Sequence, residues 1–202
     1  MKKSLLKDAL VLFVITLLSA VALACVYALT KAPIEQAAEK EKQKAYETVY
    51  AGATFETVKN GDTMLKTVND VMASGDVRDG DVSLKRATVT EILRAVDKDG
   101  NAVGYVVSAL SKSGYGGDVT AAVGVTNEGK ICGFTVLSHS ETAGFGARCD
   151  EPEYQKTFVG DQSAADVDAI SGATYTTTAL KEICGAALYA VREAESGVNA
   201  DV

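Results

Sequence analysis

The chain opens on one long apolar run and continues in shorter patterns that mix hydrophobic and polar positions. Positions 9–29 are apolar except for Thr16 and Ser19. A helix of about 21 residues, rising 1.5 Å per residue, spans the roughly 30 Å hydrocarbon core of a bilayer. The pattern therefore predicts a transmembrane helix over 9–29, with 1–8 as a short N-terminal segment.

The charges around this run predict its orientation. Three lysines lie within the first eight residues. Lysines of this kind stay on the cytoplasmic side, which predicts a single-pass protein of the cell (inner) membrane with its main domain outside the cytoplasm. A signal-peptidase site at 22–24 and lipoprotein cleavage before Cys25 stay open as alternatives. The apolar run continues through Leu29, which favours an uncleaved anchor.

The next two segments differ in composition. Residues 30–50 are rich in Ala, Glu, Lys and Gln, which favour helix and predict a solvated helical stalk. Residues 51–85 hold four glycines among scattered apolar positions, a pattern that predicts a loop-rich entry into the domain.

The middle of the chain alternates as β-strands do. Runs rich in Val, Thr and Ile, separated by turn residues, predict strands over 87–96, 102–110, 119–126 and 131–138. They form two hairpins that flank the glycine-rich residues 114–118.

Helices follow the strands. Pro152 suits the first turn of a short helix over 152–158, and apolar spacing predicts a longer helix over 176–195. The expected fold class is α+β: a twisted antiparallel sheet flanked by helices in an extracytoplasmic domain over 51–195, with 196–202 as a tail.

Charge and cysteine usage exclude some classes of function. The net charge of −7 argues against general nucleic-acid binding, which requires a clustered basic face. None of the four cysteines forms a C-x-x-C pair, so we expect no zinc or iron–sulfur site built by this chain alone. A disulfide among Cys132, Cys149 and Cys184 stays open.

The segment 168–177 reads Asp-Ala-Ile-Ser-Gly-Ala-Thr-Tyr-Thr-Thr and suggests a specific chemistry. Gly172 permits unusual backbone angles, and Ala173 leaves little bulk beside Thr174. A helix beginning here directs free N–H groups and a positive dipole end at this hydroxyl, where a phosphate would be stabilised. The alternative is that Ser171 or Thr174 simply caps the helix.

This run resembles the flavinylation motif of FMN-binding domains. Residues 114–119 are similar to the glycine loop of that family, and 139–146 to its Glu-Thr-Pro-Gly-Leu-Gly loop, with Ala143 and Phe145 replacing Pro and Leu. The resemblance implies FMN joined through its phosphate to the hydroxyl of Thr174.

The same resemblance implies a set of cofactor-binding residues besides Thr174. They are Asp168, Ser171, Gly172, Ala173, Tyr175, Tyr115, Gly116, Gly117, Glu141, Thr142, Gly144, Phe145 and Gly146. We interpret Glu141 as a loop-fixing carboxylate, and expect no catalytic residue and no metal ligand. The single histidine, His139, is interpreted as solvated or loop-fixing. Tyr115 either stacks on a ring or packs, and Asp168 either presents the threonine to the modifying enzyme or caps a turn.

The order of anchor and motifs is similar to that of the RnfG family of the Rnf electron-transport complex. The resemblance implies an electron-carrying component, not catalytic alone, of an ion-translocating ferredoxin:NAD oxidoreductase. It implies the other Rnf subunits, a flavin transferase that attaches FMN from FAD, and membrane lipid as partners. Alternatives are the NqrC component of a sodium-translocating NADH:quinone reductase, a stand-alone membrane-anchored FMN-binding reductase or sensor, and an anchored scaffold without a cofactor.

Overall fold

The computed structural model describes the backbone of residues 2–200 and the side chains of residues 7–196. The chain divides into two compact units, Met1–Lys42 and Gln43–Val202. Helix α1, Lys2–Val49, includes Pro33 without ending there. It is long and apolar enough to cross a membrane, and the side chains of its apolar stretch are exposed. A membrane-spanning helix accounts for this exposure, because apolar side chains are stable against lipid.

The second unit is built on an antiparallel sheet with the strand order β1-β4-β5-β6-β7. Its strands are β1 (Thr54–Thr57), β4 (Ala87–Val96), β5 (Ala102–Ser111), β6 (Val119–Thr126) and β7 (Ile131–Ser138). A separate small hairpin joins β2 (Arg78–Asp79) and β3 (Val82–Ser83). The predicted α+β class is confirmed. Strands β5 and β6 also pair, so the two predicted hairpins form one continuous antiparallel meander.

Two of the three helices of this unit lie where the sequence predicts them, the short one at Pro152 and the long one at the end of the chain, whereas the first is additional. The helices are α2 (Gly61–Ser74), α3 (Pro152–Gln155) and α4 (Thr174–Ala200), with 3-10 turns at Gly146–Asp150 and Lys156–Phe158. The loop-rich prediction for 51–85 was wrong for β1 and α2. The glycines there flank helix α2 instead of interrupting it, and Gly75 ends it with a φ of +91°.

Helices α2 and α4 cover one face of the sheet, where the main core lies. Strand β5 shows the alternation: Tyr105 and Val107 belong to this core, whereas Val106 points to the opposite face. On that opposite face, Val106 packs with Tyr46 and Val49 from the end of α1.

Two glycines let the last turn of α1 lie directly on the sheet. Gly124 and Gly133 are register partners on β6 and β7. A Cβ on Gly124 would stand 2.6 Å from the carbonyl oxygen of Val49, and one on Gly133 would stand 2.5 Å from its Cα. Both distances are far below van der Waals contact, so this approach requires glycine at both positions. The Tyr46 hydroxyl adds a 2.6 Å hydrogen bond with the hydroxyl of Ser108.

Candidate functional site

One cavity lies where the loops after β5 and β7 meet the start of α4. Its volume of about 420 Å³ falls within the range of small-molecule sites. The lining residues are Tyr115, Glu141, Thr142, Phe145, Gly146, Gly172, Ala173, Tyr175 and Thr176. All but Thr176 belong to the predicted set, so the fold brings together three segments that are distant in sequence.

The rim of this cavity carries three exposed aromatic side chains. Tyr115, Phe145 and Tyr175 are 74%, 56% and 67% exposed. The two tyrosine rings lie 6.3 Å apart between centroids, tilted by 41°. Among the described side chains after residue 42, the only other exposed large hydrophobic residues are Val71 and Val159, at 39% and 41%. Exposed aromatic rings gathered around one cavity indicate a ligand or partner that covers them.

The floor of the cavity is tied together by Glu141, which is only 9% exposed. One carboxylate oxygen accepts a hydrogen bond from the Gly116 backbone N–H at 2.9 Å, and the other accepts one from the Thr176 hydroxyl at 2.5 Å. This single side chain therefore joins the glycine loop to helix α4.

His139 and Asp150 hold the backbone of Glu141. Its backbone N–H donates to Nδ1 of His139 at 3.0 Å. Because Nδ1 accepts, the ring proton of neutral His139 lies on Nε2, which donates to the Asp150 carboxylate at 2.8 Å.

The ligand atoms of His139, Cys149 and Asp150 lie within 4.8 Å of one another, close enough to suggest a metal site. The hydrogen bonding opposes this. A metal at Nε2 of His139 needs that nitrogen unprotonated, whereas the Glu141 N–H directs the proton to it. Burial, Asp150 and Glu141 together raise the pKa of the Cys149 thiol to about 12, which disfavours the thiolate that a metal would bind. These residues form a hydrogen-bonded cluster that holds the backbone of Glu141 instead.

The three cysteines of the second unit are free and have raised thiol pKa values. Burial is the main cause, and it brings the pKa of Cys132 to about 11, that of Cys149 to about 12, and that of Cys184 well above 9.0. In a Cys25→Ser background, we expect iodoacetamide at pH 8 to leave the native chain unlabelled and to add three labels after unfolding, counted by mass spectrometry. Labelling of the native chain at the denatured rate would contradict the raised thiol pKa values.

These raised values also make a prediction about alkaline pH. The folded state keeps the Cys149 thiol protonated up to a pKa of about 12, whereas the unfolded state releases this proton near pH 9. The free energy of unfolding is therefore unaffected by this thiol below about pH 9 and falls as the pH rises from there towards about 12.

The four threonine hydroxyls at the start of α4 differ sharply in their bonding. Thr176 donates to Glu141, Thr177 bonds to the backbone of the preceding turn, and Thr178 donates to the Thr174 carbonyl. Thr174 is exposed at the first residue of the helix, and its hydroxyl forms no hydrogen bond within the described side chains. The fold thus leaves Thr174 available and uses the other three internally.

The residues before Thr174 divide between two surfaces. Gly172, at a φ of +78°, lies against Phe145, whose ring would be 3.2 Å from an added Cβ. Asp168 and Ser171 line a separate depression of about 260 Å³ instead of the cavity. In the described part of the chain, neither the Asp168 carboxylate nor the Ser171 hydroxyl caps a turn or helix.

The remaining predicted residues are backbone positions of the two loops. A Cβ on Gly116 would stand 2.6 Å from the Ser140 carbonyl carbon, which accounts for glycine there. Gly117 and Gly144 have φ values of +139° and +78°, a region that favours glycine, and neither lines the cavity.

The local sequence does not indicate the roles of two polar residues near the site. Thr176 lines the cavity and holds Glu141. Glu182, buried on α4, accepts hydrogen bonds from the hydroxyls of Ser111 and Ser113, the latter at 2.8 Å. This carboxylate fixes the end of β5 just before the glycine loop.

Replacing Glu182 with alanine is expected to lower the free energy of unfolding by about 2 kcal/mol, because two buried serine hydroxyls lose their acceptor. Urea denaturation of the detergent-solubilised chain, followed by circular dichroism, measures this. Glu47→Ala, at an exposed helical position, is the matched control and should change stability by less than about 0.5 kcal/mol. Equal effects of the two variants would show that the hydrogen bonds of Glu182 to Ser111 and Ser113 do not stabilise the fold.

Comparisons with known proteins agree with this geometry. The profile of the FMN-binding domain matches residues 114–189, which include the glycine loop, Glu141 and Thr174. The profile of the RnfG N-terminal region matches residues 1–49.

Three relatives are named as the G component of ion-translocating complexes. The ion-translocating oxidoreductase component of Methanosarcina acetivorans is 33% identical over 88% of this chain and 89% of its own length. The Na⁺-translocating ferredoxin:NAD⁺ oxidoreductase component of Acetobacterium woodii is 26% identical over 99% and 91%. The proton-translocating ferredoxin:NAD⁺ oxidoreductase component of Clostridium ljungdahlii is 36% identical over 43% and 52%. The chain therefore belongs to the RnfG family of ion-translocating oxidoreductase complexes and contains an FMN-binding domain.

Proposed function

We propose that this chain carries FMN covalently bound through a phosphoester to Thr174 and passes electrons within a membrane-bound ferredoxin:NAD oxidoreductase complex. The observation that carries the proposal is the free hydroxyl of Thr174, placed between two cavity-lining residues inside the region matched by the FMN-binding domain. The neighbouring threonines use their hydroxyls internally, so of the four threonines at the start of α4 only Thr174 has an unbonded hydroxyl.

The residues present suit such a cofactor. A flat aromatic ring system can lie among Tyr115, Phe145 and Tyr175, whose exposed faces surround the cavity. A phosphate on Thr174 would stand at the N-terminus of a 27-residue helix, where free N–H groups and the helix dipole stabilise negative charge. When bound, the flavin supplies one- and two-electron redox chemistry, and the chain supplies binding, orientation and electrostatics.

The attachment is a phosphoryl transfer without a change in oxidation state. A flavin transferase brings FAD to the exposed threonine. The bond that forms joins Thr174 Oγ to the phosphorus of the FMN phosphate, and the bond that breaks is the pyrophosphate link of FAD. AMP leaves with the electron pair of that bond, and the hydroxyl proton is released. Thr174 is therefore the acceptor in maturation and takes no part as a nucleophile in turnover.

The exposed side of the motif gives the transferase its access. Asp168, Ser171 and Thr174 are all exposed, whereas Ile170 and Ala173 between them are buried. The transferase can therefore bind the Asp168–Ser171 side and reach Thr174 from solvent. The lysines before the apolar helix favour a cytoplasmic N-terminus, which supports a reaction outside the cytoplasm.

The other Rnf subunits are the proposed partners in electron transfer. The names of the relatives specify ferredoxin:NAD oxidoreduction coupled to Na⁺ in Acetobacterium woodii and to protons in Clostridium ljungdahlii. Relatives of one family thus carry different ions in their names. We therefore propose electron transfer for this chain, without a coupling ion.

Coexpression tests the proposal. The full chain is produced with a flavin transferase in a host that exports its second unit, purified in detergent, and run on a denaturing gel. We expect a fluorescent flavin band and a tryptic peptide containing Thr174 whose mass is raised by FMN less water. A colourless chain, obtained while the transferase modifies a known substrate in the same cells, would refute covalent attachment. Purification of the native protein without multi-spanning partners would favour a stand-alone flavoprotein.

A further inference from the structure

Glu141 has features that fixing a loop does not require. It is the only charged residue among those that line the cavity. It is nearly buried, and it forms no salt bridge within the described side chains. A carboxylate in this position projects negative charge into the cavity with little screening by water.

Hydrogen bonds hold both the carboxylate and the backbone of Glu141 in place. Each oxygen of Glu141 accepts one hydrogen bond, from Gly116 and from Thr176, which leaves further lone pairs for a ligand. Behind it, His139 accepts the backbone N–H of Glu141 and is itself held by Asp150. Gly146 leaves room for this arrangement, because an added Cβ would stand 2.5 Å from the Thr176 hydroxyl.

We infer that Glu141 sets the redox potential of the flavin, with Thr176 moderating its charge; this inference rests on the proposed function. A flavin held in this cavity would gain negative charge on reduction, and the Glu141 carboxylate that lines the cavity would oppose that gain, because like charges repel more strongly where water is excluded. Glu141 therefore lowers the midpoint potential of the bound flavin. The Thr176 hydroxyl offsets part of the effect, since it donates a hydrogen bond to the same carboxylate.

The test compares midpoint potentials of chains loaded with covalent flavin, measured by spectroelectrochemical titration in detergent. Glu141→Gln keeps the shape and the hydrogen-bonding reach of the side chain but removes the charge. We expect its midpoint potential to rise above that of the unaltered chain. Glu153→Gln is the matched control: it removes the same charge from a side chain that is 89% exposed and outside the cavity, and it should leave the potential unchanged.

A second variant separates tuning from loop structure. Thr176→Val keeps the Glu141 charge and nearly the same side-chain volume, but removes the donor that moderates that charge. We expect its midpoint potential to fall. Opposite shifts in the two variants support an electrostatic role, whereas loosening of the loop would move both potentials in the same direction.

The outcomes distinguish this inference from the proposed function. If the unaltered chain takes up no flavin, the proposed function is wrong and the inference falls with it. If the unaltered chain loads normally but Glu141→Gln matches the control potential, the inference alone is overturned. A Glu141→Gln chain that unfolds at the usual temperature but takes up no flavin also overturns it, because the carboxylate would then hold the cofactor instead of tuning it.

Discussion

Replacing Thr174 with valine is expected to abolish covalent flavin attachment completely. The substitution removes the hydroxyl that we propose as the acceptor of the phosphoryl group, and the other threonine hydroxyls at the start of α4 are hydrogen-bonded. Valine has nearly the same shape, and Thr174 is exposed with a hydroxyl that forms no hydrogen bond in the described part of the chain, so the fold should be unaffected. In-gel flavin fluorescence and mass spectrometry of the peptide measure the loss, and the thermal midpoint checks the fold.

Thr178→Val is the matched control for this experiment. It removes a hydroxyl one turn further along the same helix, where the group donates to the Thr174 carbonyl at 2.9 Å. This variant should keep its full flavin content. Fluorescence retained in Thr174→Val, or a flavin-bearing peptide attached through Ser171, would show that the attachment site is wrong.

A Gly133→Ala chain is expected to lose about 3 kcal/mol of folding stability or more, at the upper end of the range for overpacking. The added methyl group would stand 2.5 Å from Val49 Cα. These are backbone atoms, which cannot rotate away as a flexible side chain could. The end of α1 must therefore lift from the sheet, which exposes Tyr46 and Val49. For a domain of this size, each kcal/mol lowers the thermal midpoint by roughly 2–4 °C.

Gly61→Ala makes the same chemical change where no heavy atom lies within 4 Å of the added methyl group and the backbone φ is not in the left-handed region. It should leave the thermal midpoint unchanged or slightly raised, since alanine favours helix over glycine. Circular dichroism melts of both detergent-solubilised chains provide the comparison. Equal midpoints would mean that the last turn of α1 does not lie on Gly133.

The sequence predicts what is encoded locally. Strands β4, β6 and β7 begin and end where the alternation and turn residues indicate, because strand and turn preferences act over a few residues. Helix α2 was not predicted from the sequence, although Leu65, Val68 and Met72 recur at helical spacing. Its flanking glycines obscured that short pattern.

In the candidate site, too, some residues could be predicted from the sequence and others could not. The three motif segments could be found by resemblance, and the fold brings them to one cavity. Thr176 and Glu182 could not be found, because their partners Glu141 and Ser111 lie 35 and 71 positions away. The stalk prediction likewise missed the burial of Tyr46 and Val49, since two glycines on distant strands make room for them.

The unequal bonding of the threonine hydroxyls has a consequence for the biogenesis of this protein. In the unfolded chain, four chemically similar hydroxyls follow one another within five residues, and nothing but local sequence distinguishes them. In the folded chain, three of them already form hydrogen bonds, so a transferase of the kind we propose would find only the Thr174 hydroxyl of the four unbonded. Under the proposed function, cofactor loading would therefore follow folding of the second unit.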